Sequence, residues 1–375
     1  MLKGFCCGVT LFVFVFASSA LTAPIPPDGN PVRSLWVEKT PTLDALESEA
    51  SMDALINFAV AGGVNRLYLA TYPYLEPPAD PALPWEFRPQ LPTFLQKAAA
   101  ADIEVEALFG AITWADPYNV PADPNNHSDP DWPDYYWNYV WPRKLMTDVI
   151  ATNAGYESGG GTGFAGIHLD LEYWAYWKDF GAAEKSEYQL AKEANDIATM
   201  TEIEENYIAF LNDVHAMTDP AGLRLAIDLP TWMDISGETQ RPTQLSDAMD
   251  EVDSVNILSY RDIALDVFNI SEGELALADA KDLEILLAAL TMPPDGTDIK
   301  DWNTYFDESQ FLMEIELGLT SGMIGDAGYD TFAGFGIYHY ETYATMPVPE
   351  PGTVTLALIS LSALAAFFRK RKTGF

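Results

Sequence analysis

The sequence predicts a single (β/α)8 barrel, and two patterns carry this prediction. Eight short apolar runs alternate with helical stretches across residues 33–343, and polar side chains gather at the ends of these runs, where barrels place their active sites. Without its two terminal signals, described below, the 375-residue chain keeps about 320 residues, which is large for one domain other than an α/β barrel. A doubly wound sheet is the competing architecture.

The predicted strands and helices follow one another in regular order. The strands cover 33–39, 65–72, 104–112, the stretch that starts at 164, 223–229, 254–260, 283–290 and 332–340. The helices cover 50–61, 92–101, 136–153, 193–217, 244–251, 272–281 and 308–319. Gly62 and Gly63 close the first helix, as glycine commonly does.

The fourth strand, within residues 166–174, carries the most informative pattern, because its side chains alternate strictly between two faces. One face holds Ile167, Leu169 and Leu171, and the other holds His168, Asp170 and Glu172. Burying neighbouring carboxylates costs several kcal/mol for each unpaired charge. A strand tolerates that cost mainly where the charges perform chemistry or bind a ligand.

Composition excludes several classes of function. The formal net charge of −36 disfavours nucleic acid and anionic membrane surfaces as partners. A solvated acidic surface is its simplest explanation. Both cysteines, Cys6 and Cys7, lie in the first ten residues. If that segment is removed, the mature protein has no disulfide, no thiolate catalyst and no cysteine-bound metal.

Residues 1–23 have the pattern of a secretory signal peptide. Lys3 supplies the positive start, residues 9–16 form the apolar run, and small residues at 18–20 offer a cleavage site after Ala20. An uncleaved anchor is the alternative, although the apolar run is short for a membrane span. Residues 24–32 are predicted to be a proline-rich linker.

The C-terminal segment, residues 348–375, has three parts in order: Pro349-Glu350-Pro351, an uncharged apolar stretch at 352–368, and four basic residues at 369–372. As a helix the apolar stretch is about 25 Å long, near the lower limit for a membrane span. This order resembles the PEP-CTERM sorting signal. The resemblance implies export, an inner-membrane anchor through 352–368, processing by an exosortase, and release to the cell surface or extracellular matrix. A simple C-terminal anchor is the alternative.

Asp170 and Glu172 are the leading catalytic candidates. They are two residues apart on a strand, so their side chains emerge on one face. An aspartate beneath a glutamate can raise the glutamate's pKa or hydrogen-bond to it, and either effect suits a general acid for a glycosidic oxygen. A structural carboxylate pair inside the barrel is the alternative.

Three strands together resemble the chitinase-like glycoside hydrolases, a family of (β/α)8 barrels. Their fourth strand carries Asp-Gly-x-Asp-x-Asp-x-Glu; residues 165–172 keep the final Asp and Glu and place Ala165 and His168 at the first two aspartates. Residues 255–260 are similar to the family segment that ends in a substrate-binding tyrosine. Residues 338–340 stand where the family commonly has tryptophan. The resemblance implies Glu172 as proton donor, Asp170 as its assistant and Tyr260 as a substrate-positioning group, with no cofactor.

Several residues are candidates for holding a glycan substrate. Aromatic faces stack on sugar rings, and the tryptophans nearest to the strand ends are Trp114, Trp174 and Trp232. Asp228, Glu38 and Tyr340 follow or end other strands. Acid catalysis of glycoside hydrolysis also requires a second carboxylate; its candidates are Glu38, Asp228, Asp262 and Glu341, with Lys39 or Arg261 as possible ion-pair partners.

Three hypotheses follow from these residues. The first is an exported, surface-associated glycoside hydrolase that acts on a polysaccharide or oligosaccharide. The second is a catalytically inactive barrel that binds polysaccharide, which the altered aspartates permit. The third is a metal-dependent hydrolase that uses His168, Asp170, Glu172 and Asp228. A lone histidine is weak evidence for a metal, and we expect His168 to be a hydrogen-bonded core residue.

Overall fold

The computed structural model describes the barrel region of the chain. The described residues are 31–38, 44–71, 75–76, 86–110, 112–119, 131, 135–174, 176–177, 184–235, 238–294, 303–306 and 308–346. The predicted signal peptide at 1–23, the ion-pair candidate Lys39 and the predicted sorting segment at 348–375 all lie outside them.

The sheet is a closed parallel barrel of eight strands, which confirms the predicted fold and rules out the doubly wound sheet. The first strand pairs in parallel with both the second and the eighth, so the sheet has no free edge. The strands are β1 (Val32–Val37), β2 (Arg66–Ala70), β3 (Glu104–Phe109), β4 (Gly166–Leu169), β5 (Arg224–Pro230), β6 (Ser254–Leu258), β7 (Glu284–Leu290) and β8 (Phe332–Tyr338).

Helices surround the barrel, as the alternating sequence pattern predicts. They are α1 (Glu49–Ala61), α2 (Gln90–Ala100), α3 (Trp141–Ser158), α4 (Glu187–Ala194), α5 (Ile197–Thr218), α6 (Gln244–Asp250), α7 (Ala264–Lys281), α8 (Gln310–Ala327) and α9 (Tyr340–Thr345). A π-helical turn, Tyr136–Val140, leads into α3. Two short antiparallel ribbons pair Leu75–Glu76 with Glu86–Phe87 and Tyr176–Trp177 with Glu184–Lys185.

Two predicted helices and the predicted last strand differ clearly from the structure in their limits. The single helix predicted at 193–217 is two helices, because Asn195 adopts a left-handed φ of 55° and Asp196 caps α5 through the Thr199 N–H. Helix α7 begins much earlier than predicted, where the Glu316 carboxylate accepts a hydrogen bond from the Ala264 N–H. The helix α9 replaces the predicted end of the last strand.

The two faces of the barrel wall differ in chemistry. The outward rows, such as Leu35 and Val37 of β1 or Ile167 and Leu169 of β4, pack with the helices into one continuous apolar core. The inward rows hold a small apolar cluster around Trp36 and a set of buried charged groups described below. The alternation predicted for the fourth strand is therefore confirmed.

Small residues make room for the large ring of Trp36 inside the barrel. A Cβ atom at Gly336 would lie 2.4 Å from a ring carbon of Trp36, closer than any real side chain approaches. The edge of the Trp36 ring meets Tyr68 at a centroid distance of 4.6 Å. The interior is thus filled by side chains, as in other barrels of this size.

Among the described residues, no helix is both long enough and apolar enough to cross a membrane.

Candidate active site

The C-terminal mouth of the barrel contains a cavity of about 230 Å³. It brings together four residues that the sequence predicted, Asp170, Glu172, Asp228 and Tyr260, which come from the ends of three different strands. The complete lining is Asp170, Glu172, Asp228, Tyr260, Leu290, Met292, Asn303 and Tyr338. An acidic floor beside aromatic and apolar walls is the usual composition of a small-molecule site.

The end of β4 is fixed by a close approach to β3. The Asp170 N–H donates to the Phe109 carbonyl at 2.8 Å, and a Cβ atom at Gly110 would lie 1.9 Å from the Asp170 carbonyl oxygen. Only glycine permits this approach. The strand ends at Leu169, but the alternation continues beyond it, because Asp170 and Glu172 line the cavity while Leu171 is buried in the outer core.

Asp228 is the most heavily hydrogen-bonded carboxylate of the mouth. Its Oδ1 accepts from His168 Nε2 at 3.0 Å and from Asn256 Nδ2 at 3.1 Å. Its Oδ2 accepts a longer bond from Trp36 Nε1 at 3.4 Å. Asp170 also hydrogen-bonds to Asp228. These donors occupy the acceptor positions of both oxygens.

Asp170 and Glu172 both hold protons more strongly than ordinary carboxyl groups. Burial, and then the charges of Asp228, Glu172 and Glu38, raise the pKa of Asp170 well above its usual range. Burial, Asp228 and Glu38 raise the pKa of Glu172 to about 7. The charges that raise the pKa of Glu172 are those of Asp228 and Glu38; the role of Asp170 as its assistant stays a prediction.

Two tyrosines complete the mouth. Burial and the neighbouring carboxylates raise the pKa values of Tyr260 and Tyr338 well above their usual range, so both phenols keep their protons. The Tyr338 hydroxyl donates a hydrogen bond to the partly buried carboxylate of Glu38. Glu38 is thus held beside the cavity by a neutral donor. Arg261, predicted as a possible partner of these acids, donates to the backbone carbonyl of Tyr260 at 2.6 Å.

Below the mouth, a column of charges runs along the barrel axis. His168 is fully buried, and its Nδ1 lies 3.6 Å from Oε2 of the equally buried Glu106. Glu106 Oε1 in turn lies 2.6 Å from Arg224 and 3.6 Å from Arg66. Arg66 reaches Glu284 at 2.7 Å at the opposite end of the barrel. His168 is therefore a hydrogen-bonded core residue, as expected from the sequence.

The predicted aromatic residues lie in different surroundings. Trp114 and Trp174 are each 7% exposed and belong to the outer core. Trp114 packs edge-on against Phe210, and Trp174 against Trp232. Trp232 is only partly buried and has the Lys192 ammonium 5.9 Å from its ring centroid. Trp114 and Trp174 therefore present little surface to a ligand in this structure.

Tyr340 lies apart from the mouth. The last strand ends at Tyr338, and Tyr340 begins α9 with its ring 5.3 Å from that of Phe58 on α1. The chain turns here because the Thr291 hydroxyl bonds to the carbonyls of Tyr338 and His339. Tyr338 occupies the position at the mouth that the sequence assigned to Tyr340.

Four residues that contact the mouth or the charges below it were not singled out from the sequence: Trp36, Tyr68, Glu106 and Asn256. Glu106 was detectable in principle, because it shares the inward parity of its strand and interrupts an apolar run. The alternation alone does not reveal its partner, since His168 lies on the neighbouring strand one level higher. No group of three or more His, Cys, Asp or Glu side chains within the described part of the chain is arranged to hold a metal ion.

Comparison with known proteins adds a sorting motif and a set of similar barrels. Residues 347–372 match the PEP-CTERM protein-sorting motif, as predicted. This motif indicates export by the exosortase route with membrane anchoring before processing. No curated protein matches the chain by sequence.

Among solved structures, the chain is similar to the spore cortex-lytic enzyme SleL of Bacillus cereus, with 12% identity over 85% of this chain and 72% of that chain and a TM-score of 0.47. It is similar to the PgaB (BpsB) glycoside hydrolase domain from Bordetella bronchiseptica, with 12% identity, coverages of 84% and 96%, and a TM-score of 0.45. It is also similar to a Chromobacterium violaceum chitinase, with 10% identity, coverages of 84% and 96%, and a TM-score of 0.44. These three similar structures are a spore cortex-lytic enzyme, a glycoside hydrolase domain and a chitinase.

Proposed function

We propose that this chain is an exported glycoside hydrolase in which Glu172 is the general acid. One observation carries the proposal: Glu172 lines the mouth cavity, where burial, Asp228 and Glu38 raise its pKa to about 7. A carboxyl group of this pKa is still substantially protonated near neutral pH, and its conjugate base forms readily. Both properties suit an acid that protonates a departing glycosidic oxygen.

The neighbouring groups support this role without competing for it. Asp170 lines the same cavity, and burial and the charge of Asp228 raise its pKa well above the usual range, so it holds its own proton strongly. Tyr260 keeps its phenolic proton and faces the same cavity. As a neutral donor it can hold a polar substituent of the sugar ring next to the acid.

Glu38 is our candidate for the second carboxylate. The oxygens of Asp228 are already occupied by His168, Asn256 and Trp36, which leaves little capacity for a water molecule or a sugar carbon. Glu38 accepts one hydrogen bond, from Tyr338, and is partly exposed at the same mouth. Glu341 is exposed on α9 and serves as a control.

The proposed substrate is a polysaccharide or oligosaccharide. The cavity would hold one sugar unit of that chain. Its volume of about 230 Å³ lies below the ~300–1,000 Å³ of typical ligand pockets. The motif at 347–372 supports inner-membrane anchoring through 352–368, processing by an exosortase-type enzyme, and a final location at the cell surface or in the extracellular matrix.

The test is turnover of a glycan panel by the purified protein, with and without EDTA. On any substrate that is cleaved, Glu172→Gln should lower kcat by about 10²–10⁴-fold, because it keeps the shape and removes the transferable proton. Glu341→Gln should leave kcat unchanged. A Glu172→Gln variant with near-native kcat would overturn the proposal, and loss of native turnover in EDTA would favour the metal-dependent hypothesis. Binding without turnover across the panel would favour the inactive polysaccharide-binding barrel.

A further inference from the structure

His168 lies at the centre of the barrel and is surrounded by five other strands. The Tyr68 ring of β2 stacks on it at a centroid distance of 3.8 Å, and the Trp36 ring of β1 meets it edge-on at 5.6 Å. Glu106 of β3 and Asp228 of β5 face its two nitrogens, with Asn256 of β6 next to Asp228. The side chain is fully buried, so solvent does not screen it from these groups.

The geometry of the two ring nitrogens defines the charge of His168. Nε2 lies 3.0 Å from Oδ1 of Asp228, and Nδ1 lies 3.6 Å from Oε2 of Glu106. The 3.6 Å separation is longer than a hydrogen bond, and neither Nδ1 nor Glu106 Oε2 has a hydrogen-bond partner among the described residues. A neutral imidazole would direct its lone pair at one of these carboxylates, whereas an imidazolium offers an N–H to each.

The other oxygen of the Glu106 carboxylate faces two arginines, so His168 is not the only cation that balances its charge. Glu106 Oε1 lies 2.6 Å from Arg224 and 3.6 Å from Arg66. The charges therefore alternate in sign along the axis, from the arginines through Glu106 and His168 to Asp228. Glu106 and His168 each have an opposite charge on either side, which is the condition for keeping ions in a protein interior.

Asp228 connects this column to the mouth. It accepts hydrogen bonds from His168 below, and it hydrogen-bonds to Asp170 and lines the cavity beside Glu172. A negative charge on Asp228 makes ionisation of either neighbouring acid less favourable. A neutral Asp228 would remove that effect. The protonation of the mouth therefore depends on whether Asp228 stays charged.

We propose that His168 is a positioning residue whose positive charge faces Asp228 from below, and that the Asp228 carboxylate in turn disfavours loss of the catalytic proton from Glu172 in the same cavity. The catalytic consequence of this inference rests on the proposed role of Glu172. The charges assigned to His168 and Asp228 are independent of that role. The inference extends beyond the family resemblance, because His168 stands where the family motif has an aspartate. Burial opposes the charge on His168, but Asp228 and Glu106 outweigh it and raise its pKa to about 9.

The first experiment uses the unaltered protein and needs no substrate. The chain has only four histidines, so ¹⁵N NMR of labelled protein can follow the His168 ring, assigned by the signals missing in His168→Gln. Both ring nitrogens should carry protons from pH 5 to 8, with loss of the proton only near pH 9. An unprotonated Nδ1 or Nε2 at pH 7 would overturn the proposal.

The second experiment measures the acid itself. With ¹³C-labelled carboxyl groups assigned by Glu172→Gln, the Glu172 pKa should fall by one unit or more in His168→Gln, and the basic limb of kcat/KM should move with it. Trp36→Phe removes an uncharged hydrogen-bond donor to Asp228 and should lower the Glu172 pKa by a smaller amount. An unchanged Glu172 pKa in a folded His168→Gln variant would refute the coupling. If the NMR results hold and no glycan is cleaved, the proposed function fails while the charge assignment stands.

Discussion

Replacement of Glu106 by glutamine tests whether the axial charges stabilise the fold. Burial opposes the Glu106 charge, but His168, Arg66 and Arg224 outweigh it and lower the pKa from 4.5 to about 2. That difference corresponds to about 3 kcal/mol in favour of the charged form. Because Glu106 is fully buried, solvent does not screen it. We expect Glu106→Gln to lower the free energy of unfolding by about 3–5 kcal/mol, the usual cost of breaking a buried ion pair.

Glu104→Gln is the matched control, because Glu104 lies two residues earlier on β3 and contacts the same two arginines. Its side chain is 48% exposed, so its loss should cost less than about 1 kcal/mol. Urea unfolding at pH 7, followed by tryptophan fluorescence, gives both values. Equal costs for the two variants would refute the reasoning.

The difference in unfolding free energy between the native protein and Glu106→Gln should also depend on pH, and in a definite direction. A carboxyl group with a lowered pKa in the folded state contributes stability that is fully present above its unfolded value and is lost in acid. The difference between native protein and Glu106→Gln should therefore be complete above pH 4.5 and decline as the pH falls towards 2. A difference that grows on acidification would contradict the assignment.

Three further predictions concern the acid, the packing and the tail. Activity should decline above a pH of about 7 as Glu172 loses its proton; Asp228→Asn should move this limb to lower pH, whereas Asp170→Asn, which replaces a group that holds its proton strongly, should move it less, as kcat/KM profiles would show. Gly336→Ala should cost about 1–3 kcal/mol in urea unfolding because its Cβ would overlap the Trp36 ring, whereas Gly322→Ala in α8 meets open space and should be neutral or stabilising. Truncation after Met346 should leave a folded, soluble barrel by circular dichroism and gel filtration, and an aggregated product would contradict this.

The barrel was predictable because its wall obeys a local rule. Each strand alternates between an apolar outer row and an inner row, and this period is visible within six or seven residues, as in the Arg224–Pro230 strand. The helix limits were less predictable. The start of α7 depends on Glu316, which lies 52 residues away, and the turn into α9 depends on Thr291, which lies 47 residues before Tyr338. Such contacts leave no periodic signal in the local sequence.

The carboxylates at the mouth could be predicted from the sequence, but the separate role of each one could not. Asp170, Glu172 and Asp228 could be placed at strand ends from parity alone. Their protonation depends on pairings between strands, such as His168 with Asp228, 60 residues apart. The tryptophans illustrate the same limit, since Trp114 follows a strand yet is buried against Phe210 of α5. Position after a strand does not distinguish a ligand platform from a core residue.

The column of charges along the barrel axis also affects which register the strands adopt. A strand that slips by two residues keeps its inner and outer faces, and the aliphatic outer rows would tolerate such a slip. The inner charges would not: moving β4 by one such step relative to β5 would separate His168 from Asp228 and leave two charges in the interior without partners. The cost of that error is several kcal/mol. The ions that we propose to hold the proton on Glu172 therefore also discriminate between strand registers that the outer rows alone would tolerate.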